Sequence, residues 1–201
     1  MGYSYHYNSI GGAIINNTIA SNSYSIRFNF ESAGNIMYAL SKATNIRKNS
    51  DGEYAILGIP YAQYVKGEFD FSKNIRIDRR NSFAFHIGMG IAVPYGNAKT
   101  IPFEKQYFSG GANSVRGWTV RDLGPGSFVR NENTNLLDQS GDIKLDASIE
   151  YRSKLFWKFQ GAIFVDAGNI WTIRDYDNQP GGVFKFLSLI HISEPTRRVV
   201  I

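Results

Sequence analysis

The sequence contains no cysteine. This absence excludes a disulfide scaffold, a thiolate zinc site and a cysteine nucleophile. The sequence also lacks any run of about 18 apolar residues, which excludes a transmembrane helix. A membrane β-barrel is still compatible, because its strands alternate apolar and polar residues and so have only modest mean hydropathy. No signal peptide is recognisable, since Met1 leads directly into strand-like sequence.

Basic runs and metal-binding motifs are missing as well. The formal net charge is +5, but lysine and arginine are spread singly, so nucleic-acid binding is not expected. His6, His86 and His191 are scattered and form no ligand motif, so we expect no metal site. No nucleophile elbow or phosphate-binding loop occurs, which predicts no catalytic residue, no cofactor and no enzymatic activity.

The strongest positive signal is alternation of apolar and polar residues. In KLDASIEYR, residues 144–152, the apolar side chains occupy the odd positions, and the charged ones, including Glu150, occupy the even positions. A period of two is typical of a β-strand with two unlike faces. The same pattern recurs in five other segments, residues 3–8, 23–31, 61–71, 83–95 and 157–171.

Strand length favours a membrane setting. Several of these segments run for about 9–13 residues, whereas strands of soluble proteins have about 5–6. Aromatic residues such as Tyr95, Tyr151, Trp157 and Trp171 end the apolar faces, as at membrane–water interfaces. The pattern predicts an all-β, antiparallel transmembrane barrel. A soluble sandwich or a lipocalin-like barrel with one wet face is the alternative that the pattern leaves open.

Two connections stand out between the strands. Residues 34–44 read as a short amphipathic helix in a loop, and residues 96–140 form a long connection rich in Gly, Asn and Asp. Loops this long are usually functional or disordered. The long one contains GGANSVRGW, residues 110–118, where Arg116 stands between apolar and glycine residues. Taken alone, Arg116 fits a solvent-facing turn as well as a buried site.

The wider stretch FSGGANSVRGWTVRDLGPG, residues 108–126, resembles the loop signature of the outer-membrane protein assembly and translocation superfamily, the BamA/TamA-like bacterial surface antigen family. SIEYR and FVDAGNIW, residues 148–152 and 164–171, also resemble family blocks and follow in the right order. The motif residues are Gly110, Gly111, Ser114, Val115, Arg116, Gly117, Trp118, Leu123, Gly124 and Pro125.

The resemblance implies a specific role for the arginine. In the family the loop folds back into the barrel lumen, where its tip arginine meets carboxylates of the wall. The matching positions are Glu150 and Asp166, both on polar faces by the alternation. We therefore expect an ion-pair lock from Arg116 to Glu150 and Asp166, with Trp118 adding apolar contact and the small Gly88 and Gly90 leaving room for the loop.

The family's activity is implied in the same way. The resemblance suggests a factor of the bacterial outer membrane that inserts or translocates proteins without ATP. Its partners would be outer-membrane lipids, client outer-membrane or secreted proteins, and periplasmic or lipoprotein partners. A two-partner secretion transporter is the alternative within the superfamily. A passive porin-like barrel would explain a charged lumen but not the loop motif.

Domain boundaries follow from where the resemblance stops. We expect residues 1–187 to be a partial barrel of about six to seven strands out of 16, with the motif loop at 96–140. In residues 188–201 the alternation collapses, and LIHISEPTRR resembles translated sequencing adapter, so we expect a non-native tail there. An open sheet of this kind would leave two unpaired edges, which lipid does not tolerate.

Overall fold

A computed structural model describes residues 1–9, 22–46, 48–50, 52–56, 58–112, 114–128, 138–156, 159–185 and 198–200. Its centre is a seven-stranded antiparallel sheet, open in the part of the chain described, with the order β1-β2-β5-β6-β7-β8-β9. These strands are β1 (Gly2–Asn8), β2 (Ser23–Ala33), β5 (Tyr64–Arg76), β6 (Asn81–Pro94), β7 (Ile143–Lys154), β8 (Gln160–Trp171) and β9 (Arg198–Val200).

Two smaller features lie between β2 and β5. A helix, α1 (Asn35–Ala43), begins after Gly34, whose φ of 82° lets the chain turn sharply out of β2. A short hairpin then pairs β3 (Ala55–Ile56) with β4 (Ile59–Pro60). Among the described residues, no helix is both long enough and apolar enough to cross a membrane.

The predicted elements agree with the sheet apart from the start of β8 and both ends of β5, which continues to Arg76 where the prediction stopped at residue 71. The helix predicted at 34–44 forms at Asn35–Ala43. The strand predicted from residue 61 begins at Tyr64, and the one predicted from residue 157 begins at Gln160. Trp157, His191 and most of the tail at 188–201 lie outside the described residues, although Arg198–Val200 pairs with β8.

The sheet has one polar and one apolar face, as the alternation predicts. Neighbouring strands keep their polar residues in register, so that Ser148 of β7 faces His86 of β6 on one side and Asp166 of β8 on the other. We call the face with these residues the inner face. The opposite, outer face carries exposed apolar side chains such as Phe28, Ile87, Met89, Ile149, Ile163 and Val165.

Between β5 and β8, the connections at the two ends of the strands differ greatly in length. Residues 77–80 join β5 to β6, and residues 155–159 join β7 to β8. At the other end, residues 95–142 form the long loop between β6 and β7, which contains a short 3-10 turn at Phe103–Lys105. Transmembrane β-barrels combine short turns on one side with long loops on the other in this way.

The small apolar core lies where the long loop meets the sheet. Ile101 and Tyr107 of the loop are buried together with Tyr64, Ala92 and Ile170 of the strands. All three strand residues occupy even, inner-face positions. The long loop therefore packs against the inner face, and the outer face has no comparable cover among the described residues.

Candidate functional site

The motif forms a compact hairpin within the long loop. Ser109 and Leu123 pair across its base, and the Gly111 N–H donates to the Trp118 carbonyl at 2.8 Å. At its tip the Trp118 N–H donates to the Val115 carbonyl at 3.2 Å, which closes a turn with Arg116 in its first central position. The arginine therefore projects from the end of a braced hairpin.

Glycine is required where this hairpin is narrowest. Gly110 has a φ of 98°, and a Cβ added to it would lie 2.1 Å from the Thr119 carbonyl oxygen. Only glycine adopts a positive φ without strain and also lacks the Cβ that would collide with the opposite arm of the hairpin. The double glycine of the motif thus allows the two arms of the hairpin to touch.

Arg116 meets both predicted carboxylates on the inner face. Its Nε donates to Asp166 Oδ2 at 2.8 Å and its Nη2 donates to Asp166 Oδ1 at 2.7 Å. The backbone N–H of Arg116 donates to the same carboxylate at 3.0 Å. Its Nη1 donates to Glu150 Oε2. We call this set of Arg116, Glu150 and Asp166 the arginine latch.

The latch is well shielded from solvent. The Asp166 side chain is 1% exposed, that of Glu150 is 13% exposed and that of Arg116 is 26% exposed. The hydrogen bonds to Asp166, with those to Glu150, raise the pKa of the Arg116 guanidinium above its already high ordinary value. The arginine is therefore charged at any pH at which the protein folds.

Phe164 completes the latch, and the sequence analysis missed it. Its ring centroid lies 3.6 Å from the Arg116 guanidinium carbon, which is a cation–π contact. Phe164 is buried and occupies an even position of β8, opposite Glu150 of β7 and two residues before Asp166. An aromatic residue at an inner-face position was the signal in the sequence that could have identified it.

The rest of the motif lies on either side of the latch. Val115 is buried, and Ser114 Oγ lies 3.3 Å from Ser109 Oγ. Trp118 remains 37% exposed, so the apolar contact expected from it is incomplete. The neighbouring Gly117 lies in the tip turn.

The trailing Leu-Gly-Pro joins the loop to the end of β8. A Cβ on Gly124 would lie 2.4 Å from Asn169 Oδ1, so only glycine allows this close approach. Pro125 is fully buried, and the Gly126 N–H next to it donates to the Ile170 carbonyl at 2.7 Å. This segment fixes the hairpin to the same strand that carries Asp166.

A second attachment holds the beginning of the long loop against β2 and β5, on the same inner face as the latch. Lys105 Nζ lies 2.7 Å from Glu31 Oε1 of β2, and Glu31 raises the pKa of this lysine. Tyr107 donates from its hydroxyl to the Gly67 carbonyl of β5 at 3.2 Å. The Tyr107 ring occupies the space over Gly90, where a Cβ would approach it to 2.6 Å. The loop therefore spans the inner face from β2 to β8.

His86 also lies on the inner face, opposite Ser148 of β7. Its two ring nitrogens each lie 3.5 Å from a carboxylate oxygen, one of Asp70 on β5 and one of Asp146 on β7. Within the described ranges, no group of three or more potential ligands is arranged to hold a metal ion.

Residues 16–187 match the family described as the Omp85 superfamily domain, which accounts for most of the chain. The chain belongs to the Omp85 superfamily. The outer-membrane family inferred from the loop motif is thereby confirmed, as is the fold class, an antiparallel barrel wall. Proteins of this superfamily are located in the bacterial outer membrane, and this Omp85 chain is a protein of that membrane.

The proteins similar to this Omp85 chain include two BamA proteins. The outer membrane protein assembly factor BamA of Neisseria meningitidis serogroup B is 34% identical over 99 residues, covering 45% of the chain and 12% of that protein. The crystal structure of BamA from Haemophilus ducreyi lacking POTRA domains 1–3 shares 17% identity at a TM-score of 0.45, over 86% of the chain and 42% of that structure. The chain thus spans less than half the length of either protein.

Proposed function

We propose that this chain provides part of the wall and the infolded loop of an outer-membrane factor that inserts or translocates proteins without enzymatic chemistry or ATP. In this proposal, residues 1–187 are the barrel unit and the arginine latch holds the loop on the inner face. The observation that carries the proposal is the contact of Arg116 with both Asp166 and Glu150. Client proteins would be folding outer-membrane or secreted proteins, assisted by periplasmic or lipoprotein partners.

The latch is suited to holding the long loop in one position while client proteins pass. A planar guanidinium bonded to two carboxylates on neighbouring strands fixes the distance and the angle of the loop tip. Because Asp166 is buried, withdrawing the arginine would leave a carboxylate unpaired away from water. The loop is therefore expected to stay docked unless the wall itself moves.

The assembly role is favoured over secretion by the similarity to a protein that is itself named an assembly factor. A passive pore is less well supported, because a pore for small solutes needs no loop attached at both sides of its inner face. A two-partner secretion transporter remains the second candidate, since the same loop motif would serve it equally.

Replacing Arg116 with Gln in the full-length protein tests the proposal. We expect folded reporter β-barrels in the outer membrane to fall at least about tenfold, because loss of a buried pair costs about 3–5 kcal/mol. Arg121→Gln is the matched control: it alters an arginine of the same hairpin that lies over the Phe103 and Phe108 rings, 4.5 and 4.6 Å away. Protein levels are compared by immunoblotting.

Three readouts separate the candidate functions. A loss of folded reporter barrels with Arg116→Gln supports the assembly role, whereas a loss confined to a secreted passenger supports the secretion transporter. A change confined to uptake of small solutes would support a pore. Wild-type levels of all three in Arg116→Gln would refute a functional role for the latch.

A further inference from the structure

Two short turns lie next to each other at one end of the sheet. Residues 77–80 connect β5 to β6, and residues 155–159 connect β7 to β8. The two turns are joined directly, because the Lys154 N–H donates to the Arg80 carbonyl at 2.8 Å. We call residues 77–80, 154–156 and 159 the turn rim.

The turn rim carries an excess of positive charge, with three cations and one acid. Arg79, Arg80 and Lys154 are exposed, and none of the ion pairs found among the described residues includes any of them. The single acid of the rim, Asp78, is already bonded within its own turn. Its carboxylate accepts the Arg80 N–H at 2.6 Å, the Asn81 N–H at 2.8 Å and Asn81 Nδ2 at 2.7 Å.

The same two turns carry exposed apolar side chains. Ile77, Leu155, Phe156 and Phe159 are all more than half exposed, and the two phenylalanine rings contact each other with centroids 5.2 Å apart. Aromatic and apolar groups beside cations are typical of the level at which a membrane protein meets lipid headgroups. Exposing this much apolar area to water alone is unfavourable, and such patches usually mark a surface that contacts a membrane or another molecule.

Lys73 is independent evidence that the lipid headgroups lie near this end of the sheet. Among β1, β2 and β5–β8, all of whose residues are described, it is the only charged residue on the outer face. Its register partners are Tyr24 and Phe85, and it lies three residues before the end of β5 at Arg76. A lysine at this depth reaches the headgroups by extending its aliphatic chain along the apolar surface.

We propose that Lys73, Arg79 and Arg80 bind the phosphates of anionic phospholipids in the leaflet that the short turns face. One lipid type accounts for both parts of the rim. Its acyl region contacts the exposed apolar side chains, and its negatively charged headgroup neutralises cations that form no ion pair among the described residues. An acidic protein partner could pair with Arg79 and Arg80 in the turn. It would not explain why Lys73 lies on the outer face, which contacts lipid.

Lipid selectivity of the purified protein tests this inference. The protein is placed in nanodiscs of phosphatidylcholine and phosphatidylglycerol, and the association of spin-labelled forms of each lipid is measured by electron paramagnetic resonance. We expect a preference for phosphatidylglycerol on the order of fivefold or more, since each cation near a lipid surface contributes about that factor. The triple variant Lys73→Gln, Arg79→Gln and Arg80→Gln should reduce the preference below about twofold.

The matched control removes three lysines at the opposite end of the sheet, as Lys42→Gln, Lys48→Gln and Lys99→Gln. It loses the same charge and should keep the preference. A second variant, Arg79→Lys with Arg80→Lys, preserves charge and should also keep it; circular dichroism verifies that every variant is folded. Equal preference in the triple variant and the control would overturn the proposal. The absence of any preference in the parent protein would also overturn it. So would a triple variant that keeps the preference for phosphatidylglycerol but loses binding of an acidic protein.

Discussion

At the scale of single residues, the two acids of the arginine latch have unequal roles. Asp166 accepts three N–H groups of Arg116 and is almost completely buried. Glu150 accepts one N–H group of Arg116, and its other oxygen accepts Nε of Arg152, which is 54% exposed. Glu150 therefore keeps a cation if the loop leaves, whereas Asp166 would remain buried without one.

This inequality predicts different costs for two amide substitutions. Asp166→Asn should destabilise the docked loop by about 3–5 kcal/mol, because it breaks a buried ion pair. Glu150→Gln should cost less, about 1.5–3 kcal/mol, which is the usual value of one hydrogen bond to a charged group. Urea unfolding in lipid vesicles measures both. Equal destabilisation by the two variants would show that burial of Asp166 does not determine the strength of the latch.

At the scale of elements, the long loop packs closely on β6 because Gly90 has no side chain and leaves room for the Tyr107 ring. The Tyr107 ring lies where a Cβ of Gly90 would be, and its hydroxyl is held by the Gly67 carbonyl. Lys66 Nζ lies 4.3 Å from the centroid of the same ring. The ring therefore cannot turn away without losing both contacts, so the fit is sensitive to a single methyl group.

We expect Gly90→Ala to displace the beginning of the long loop from the sheet, at a cost of about 1–3 kcal/mol for overpacking. Increased chymotrypsin cleavage after Phe103 and Phe108 would show the displacement. Gly67→Ala is the control, because its Cβ would meet nothing closer than 4.0 Å. Combining Gly90→Ala with Tyr107→Ala should remove most of the conflict. Identical cleavage of the Gly90 and Gly67 variants would contradict the fit.

The β5–β6 turn predicts a dependence on pH. The hydrogen bond from the Asn81 side chain, with those from the turn backbone, lowers the pKa of Asp78 below its ordinary value. A carboxylate with a lowered pKa stabilises the folded state above its unfolded pKa of about 3.9, and that contribution disappears as the pH falls through the folded pKa. Asp78→Asn should therefore lower stability near neutral pH but make little difference at about pH 2.

Urea midpoints of the parent protein and of Asp78→Asn, measured from about pH 7 down to about pH 2, test this sign. The difference between the two midpoints should shrink as the solution is acidified. A difference that stays constant or grows at low pH would show that Asp78 does not stabilise the turn as a carboxylate.

At the scale of the whole molecule, alternation in the sequence was enough to predict the two faces of the sheet. The even positions of KLDASIEYR and of the β8 segment placed Glu150 and Asp166 on one face, and the register has them there. Alternation is informative because each strand separates lipid from a polar interior along its whole length. The short helix was predictable for a related reason, since its apolar residues recur at helical spacing.

Contacts between distant segments were not predictable in this way. Lys105 and Glu31 are 74 residues apart, and no periodicity relates a loop lysine to a strand glutamate. Phe164 was missed because an inner-face aromatic interrupts the pattern that identifies the strand. The start of β8 at Gln160 instead of residue 157 could not be read from residues that alternate equally well on either side of it.

The central claim is that Arg116 holds the motif hairpin on the inner face of the sheet. Because the chain has no cysteine, Ala112→Cys and Phe156→Cys would introduce just two sites for spin labels, one in the hairpin and one in the β7–β8 turn. Pulsed electron resonance on the protein in lipid then measures the distance between the labels. We predict one narrow distance distribution in the parent and in Arg121→Gln, and a broad or shifted distribution in Arg116→Gln. The same narrow distribution in Arg116→Gln would contradict the account.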